Sequence, residues 1–254
     1  MATIESVIPR IEPLRPGTSG ARSPRALDVA PPLVARPSFA DRPLPTASRD
    51  EARGSAGRLL GMFLALGRED EAHCRRIARW SRRLALELRL SEECAEGIEI
   101  GALLHDVGYL RLRAIDFERQ GPLNAGEVFE LHRHPALGAR LVEGTPALAG
   151  AAALIASHHE RFDGTGYPYG LRGEAIPVEG RIVHLVDAYE AMTRDRPRRA
   201  RITDGEARAE IARGAGAQFD PAVARAFASI DVEEWSAAVP PTDVTPSSRR
   251  APRG

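Results

Sequence analysis

Lysine is absent from this 254-residue chain, and all 35 basic residues are arginine. They are balanced by 35 acidic residues, so the formal net charge is zero. A neutral total argues against a dedicated binder of nucleic acid polymers or membrane surfaces, which needs accumulated positive charge. Cysteine is scarce too. Cys74 and Cys94 form no Cys-x-x-Cys motif and no framework, which argues against a disulfide-stapled secreted fold. No apolar run approaches the ~18 residues that a membrane-spanning helix needs. The start of the chain carries Glu5 and Glu12 and is broken by Pro9, Pro13 and Pro16, unlike a signal peptide. The expectation is a soluble, cytoplasmic protein that engages no membrane.

What is present is enough apolar residue, at 43%, to bury a core. It is unevenly placed. Residues 1–50 hold nine of the 20 prolines and show no helical or alternating period. Residues 1–54 therefore read as a disordered or extended arm, and residues 238–254, with Pro240, Pro241, Pro246 and Pro252, as a second disordered tail. Residues 1–50 and 238–254 together carry ten arginines against six acids, whereas 51–237 carry 25 against 29. One mildly acidic domain is expected over 55–237, between basic arms.

Inside that domain the pattern is helix after helix. Helices are expected over about 55–66 and over 69–89, where Ile77, Trp80, Leu84 and Leu88 recur every three or four residues. Ser91 caps a helix expected over 92–107, and Asn124 with Glu127 forms a capping box for one reaching about 143. An Ala-rich helix is expected over 146–160 and another over 177–193. Thr203 with Glu206, and Asp220 followed by Pro221, start two more. With no convincing strand and no repeat, the expected class is all-α, a single helical domain.

All seven histidines lie between positions 73 and 184. They fall into clusters with carboxylates: Glu69 with His73, His105 with Asp106, His134 before a proline, and His158-His159-Glu160, to which Asp187 is added from an apolar stretch. Glu69 and His73, four apart, are expected on one helix face. Imidazole and carboxylate together suit iron, manganese or zinc, and a carboxylate bridges two ions readily. A single histidine on an apolar face is ordinarily a satisfied core residue. The whole set is not so explained, because burying many titratable groups is costly unless something coordinates them. His132 and His184 fall outside the motifs and read as structural.

The block His158-His-Glu160, two residues, then Asp163-Gly-Thr-Gly-Tyr-Pro168 is long and unusual. With Leu103-Leu-His-Asp-Val-Gly108 upstream and Asp187-Ala-Tyr-Glu-Ala-Met-Thr193 downstream, the chain resembles the HD-GYP family of HD-domain metal-dependent phosphohydrolases over about residues 66–226. The resemblance implies a helical domain that cleaves the bacterial messenger cyclic di-GMP to linear pGpG, and in some members on to GMP. It places metal ligands at His73, His105, Asp106, His134, His158, His159 and Asp187, with Asp106 bridging two ions. It places at Glu69 the carboxylate of members holding a third ion. Two or three divalent ions, iron or manganese, are thus implied.

Phosphate contacts are implied at Arg196 and Arg199, within the run Arg194, Arg196, Arg198, Arg199 and Arg201. Guanidinium suits that role through bidentate hydrogen bonds to phosphate oxygens. The Gly164–Pro168 loop, with Gly166, Tyr167 and Pro168, is implied in substrate binding or in docking a GGDEF-type cyclase domain, and a homodimer is compatible with it. One departure matters. The family reads His-Asp-x-Gly-Lys where this chain has Tyr109, which places Tyr109 beside Asp106 among the catalytic candidates but supplies no positive charge there. Two readings follow from the residues: a cyclic di-GMP phosphodiesterase, or an impaired module that binds metal, cyclic di-GMP or a partner and signals without turnover. A third is a phosphodiesterase for another cyclic dinucleotide.

Overall fold

The computed structural model describes residues 49–67, 69–112, 123–195 and 200–237. Most of both expected arms lies outside the described residues. Residues 49–54 do not belong to an arm, because the first helix, α1 (Arg49–Leu64), already begins there. It is followed by α2 (Glu71–Glu87), α3 (Glu92–Leu103), α4 (Ala125–Leu131), α5 (His134–Glu143), α6 (Ala152–Ser157), α7 (Val178–Thr193), α8 (Asp204–Gly214), α9 (Pro221–Ser229) and α10 (Val232–Ala237). No strand occurs among the described residues; a lone bridge joins Ala215 and Phe219. No described helix is long and apolar enough to cross a membrane.

The caps form where the sequence places them. Ser91 accepts a hydrogen bond from the Cys94 amide, and the Asn124–Glu127 and Thr203–Glu206 capping boxes are both closed. Asp70 caps α2 by accepting from the His73 amide at 2.6 Å. This moves Glu69 off the helix. It precedes the cap, so it does not share a helical face with His73 by periodicity, though the chain still folds it to within 3.9 Å of that ring.

Three expected helices are broken, two of them at the site. The helix expected over 92–107 stops at Leu103, and the chain tightens into a 3-10 turn at Val107–Arg111. The helix expected to run from Asn124 to about 143 breaks at His132–Arg133, ahead of Pro135. Proline has no amide hydrogen and crowds the preceding turn, so α4 cannot continue into α5. The Ala-rich segment runs as a 3-10 turn from Pro146 to Ala151 before becoming α6. Tight turns of this kind are frequent at helix starts.

Helix α2 packs against α3 and α7, while α5 packs against α6 and the 3-10 turn after α3. The second of these contacts needs glycine. A Cβ on Gly108 would lie 1.9 Å from the His134 carbonyl oxygen, and one on Gly138 would lie 2.9 Å from Ile155. That close approach sets His105 and Asp106 beside His134. At the other end, Trp80, Tyr189, Phe227 and Trp235 form an aromatic cluster, with the two indoles stacked at 5.2 Å. The fully buried Trp235 sits on α10, a helix the sequence pattern does not reveal.

Candidate metal centre

The side chains expected to bind metal come from five separate places in the chain and meet in the interior. They form two sets, in each of which the donor atoms lie within 4.8 Å of one another: Asp106, His134, His158 and His159, and His73, His105 and Asp187. Asp106 joins them. Its Oδ2 lies 3.3 Å from His105 Nε2, while its Oδ1 lies 3.1 Å from His134 Nε2 and 3.6 Å from His158 Nε2. A carboxylate with one oxygen toward each set is the arrangement a bridging ligand requires.

The helix ends aim the imidazoles. The last carbonyls of a helix have no intrahelical donor. Here His105 Nδ1 bonds the Ala102 carbonyl, His134 Nδ1 that of Leu131, and His158 Nδ1 that of Ile155, each at 2.8 Å. A carbonyl only accepts, so each Nδ1 carries a proton, and in the neutral ring Nε2 is the atom left with a lone pair toward the centre. His73 is held otherwise: its Nδ1 lies 3.2 Å from the Glu190 carboxylate. His184, outside both sets, places its Nδ1 3.0 Å from the His158 carbonyl and braces that residue from behind.

The donor set fits a cation. His134 Nε2 and His158 Nε2 lie 3.3 Å apart, and both face Asp106 Oδ1. With both Nδ1 protons committed to carbonyls, these three atoms are all acceptors. Acceptors crowded together away from water repel unless a positive charge lies among them. The ionisation of the groups follows the same field. Burial opposes a charge on Asp106, but the His105 charge beside it outweighs burial and holds the carboxyl well below its usual range. Burial lowers His105 as well, yet Asp106 overrides it and lifts the imidazole to about 9. Burial with its histidine neighbours drops His158 to about 4 and His159 well below its usual range, keeping both neutral, the form that can bind a metal.

The half-buried members are His159 in one set and Asp187 in the other, so each set opens to solvent at that ligand. Glu69 belongs to neither set, and its carboxylate oxygen stands 3.9 Å from His73 Nε2. Tyr109 is buried and its ring lies flat on His134, with centroids 4.4 Å apart and planes 10° apart; Phe63 of α1 stacks beyond it. Burial raises the Tyr109 hydroxyl well above its ordinary value, so it stays neutral.

Tyr167 lies between His132, stacked at 3.9 Å, and His159, stacked at 4.8 Å. The loop reaches there because Gly166 has no side chain: a Cβ would lie 2.3 Å from the Arg161 nitrogen and 2.6 Å from the His159 oxygen. Pro168 follows directly, and the Glu160 carboxylate ties down the loop beyond it by accepting from the amides of Tyr169 (2.7 Å) and Leu171 (3.0 Å). Glu160 was visible only as part of the long motif, and nothing in its spacing assigns it this work. Arg194 forms an ion pair with Asp70 and lies 3.7 Å from Glu190. Arg196, Arg198 and Arg199 lie outside the described residues.

Residues 59–223 match the HD domain family. A cyclic di-GMP phosphodiesterase response regulator from Xanthomonas campestris is 41% identical over 140 residues, covering 54% of this chain and 37% of that protein. A cyclic di-GMP phosphodiesterase from Thermotoga maritima is 33% identical over 167 residues, covering 65% and 45% respectively. A 3'3'-cGAMP-specific phosphodiesterase from Vibrio cholerae is 33% identical over 159 residues, covering 62% and 30%. The chain thus spans less than half the length of each of these relatives. A solved cyclic GMP-AMP-specific phosphodiesterase from V. cholerae superposes with a TM-score of 0.53 at 20% identity, over 65% of this chain and 45% of that one. An HDG"Y"P protein from Bdellovibrio bacteriovorus does so with 0.52 at 18%, over 74% and 65%. These two share the fold.

Proposed function

Because the chain belongs to the HD domain family, we propose that it is a metal-dependent phosphodiesterase that hydrolyses cyclic di-GMP to linear pGpG. The observation that carries this reading is Asp106, with one carboxylate oxygen toward each of two ligand sets. The relatives named as cyclic di-GMP phosphodiesterases support the substrate. Two divalent ions, iron or manganese, fit the mixed imidazole and carboxylate donors, and Glu69 beside His73 would complete a third site.

When bound, such ions supply Lewis-acid stabilisation of a phosphoryl group and lower the pKa of water. The chain's own residues do the rest. Asp106 fixes the spacing of the two sets, and the Nδ1 contacts to helix-end carbonyls keep the Nε2 lone pairs aimed inward. His159 and Asp187 border the open side, where a phosphodiester would enter. Arg196 and Arg199 are assigned to the phosphate oxygens, where guanidinium disperses charge in the transition state. Tyr109 backs His134 and holds its plane. Since the Tyr167 ring is engaged by His132 and His159, docking of a GGDEF-type partner on this loop would fall to exposed Thr165 and Gly170.

The test is product analysis with metal-replete, reduced protein given cyclic di-GMP and 3'3'-cGAMP in parallel. Linear product from cyclic di-GMP at the higher kcat/KM supports the reading. No linear product from either, with metal bound, overturns it; preference for cGAMP replaces its substrate.

A further inference from the structure

The two halves of the centre are not held alike. His134 and His158, in one set, are fixed by backbone carbonyls of their own helix ends. Those contacts are closed within three residues and use no other side chain. In the other set, His105 is fixed the same way, but His73 depends on a side chain 117 residues away, the carboxylate of Glu190.

Glu190 is itself tightly held. It is buried, and its Oε1 accepts from Arg76 Nε at 3.1 Å and Nη2 at 2.5 Å while its Oε2 lies 3.2 Å from His73 Nδ1. It stands one helical turn after Asp187 on α7, so the same helix delivers a ligand of this set and the brace for another. Arg194, at the end of α7, reaches both Glu190 and Asp70, and Asp70 caps the helix that carries His73. Three residues close a ring around His73: Asp70 holds its backbone amide, Glu190 its imidazole, and Arg194 joins the two carboxylates.

We propose that Glu190 is the positioning residue of the His73–His105–Asp187 half of the centre, and that this half is the separately adjustable one. The carboxylate fixes the proton on His73 Nδ1 and strengthens Nε2 as a donor, as outer carboxylates do for metal-bound histidines. Arg194 opens the arginine-rich stretch 194–201, so the ring also links this half to the segment assigned to phosphate. The proposal rests on the two-ion reading above but not on which dinucleotide is cleaved.

The test is a titration of metal-free, full-length protein with cobalt(II), followed by calorimetry and by visible absorption, whose bands report ligand geometry. Wild type takes up at least two equivalents. The isosteric Glu190→Gln keeps the first with unchanged affinity and spectrum and loses about 10–100-fold in a later one, with an altered band for that equivalent alone. Glu190→Asp restores part of the loss. Asp220→Asn, which breaks a buried ion pair with Arg181 on the same helix, lowers the melting temperature and leaves every equivalent in place. Equal weakening of all equivalents in Glu190→Gln, or none, overturns the proposal. Failure of cyclic di-GMP turnover with this pattern intact would overturn the substrate reading alone.

Discussion

His134 donates its Nδ1 proton to the carbonyl of Leu131 at 2.8 Å, and that carbonyl is the one whose helical donor Pro135 removes. In an uninterrupted helix the amide of residue 135 would bond it. The proline therefore ends one helix and, in the same step, frees the acceptor that orients the His134 imidazole. Pro135→Ala supplies a competing amide. The expected outcome is a native fold by circular dichroism with roughly 10-fold weaker metal binding, measured by calorimetry, since disturbing an outer-shell contact typically costs 10–100-fold.

Gly108 is tested in the opposite sense, by adding an atom. Its Cβ would fall 1.9 Å from the His134 oxygen, so Gly108→Ala must push the 3-10 turn away from α5. Overpacking of this kind costs about 1–3 kcal/mol. Chemical denaturation should show that loss. Metal binding should fall with it, because Asp106 and His134 sit on the two pieces being separated.

Metal uptake should release a proton in a defined pH window. In the metal-free protein burial lowers His105, but Asp106 prevails and raises it to about 9, so the imidazole is protonated at pH 7. An ion must displace that proton. Loading near pH 7–8 in weak buffer should release about one proton from this site, and the number released should fall by about half near pH 9 and toward none well above it. The linked stability has the matching sign. A raised folded pKa stabilises the metal-free protein fully below the ordinary histidine value near 6.5 and loses that contribution as pH rises through about 9. The melting temperature of metal-free wild type should fall across that interval more than that of His105→Ala.

Trp235 anchors the far end of the domain, stacked on Trp80 and edge-on to Tyr189 and Phe227. Trp235→Ala should cost about 3–5 kcal/mol in equilibrium unfolding. Metal content should be unchanged in the protein that remains folded, because the cluster touches none of the ligands.

Helix class and caps are readable in the sequence because they depend on local chemistry, whereas the histidines that meet in the two sets are linked in the sequence only by the family resemblance. A Ser, Asn or Thr followed by its partner three residues on closes a cap whatever surrounds it. The breaks were less readable. Nothing local to residues 103–107 ends a helix; the turn there is imposed by Gly108 packing on α5. Glu69 lies beside His73 without sharing its helical face, since Asp70 caps the helix first. The braces, Glu190 on His73 and His184 on His158, join positions 117 and 26 residues apart, and no spacing rule connects them. His132 read as structural and is packed on Tyr167, which ties the Gly-Tyr-Pro loop to His159.

The central claim is that Asp106 joins two metal-binding sets into one centre. The most direct measurement is the number of metal ions per chain, by elemental analysis of protein purified without oxygen, in wild type and in Asp106→Ala of matched helicity. The account predicts at least two ions per wild-type chain and loss of stable binding at both sets in the variant. A wild type holding fewer than two after full loading, or an Asp106→Ala protein that keeps both, would contradict it.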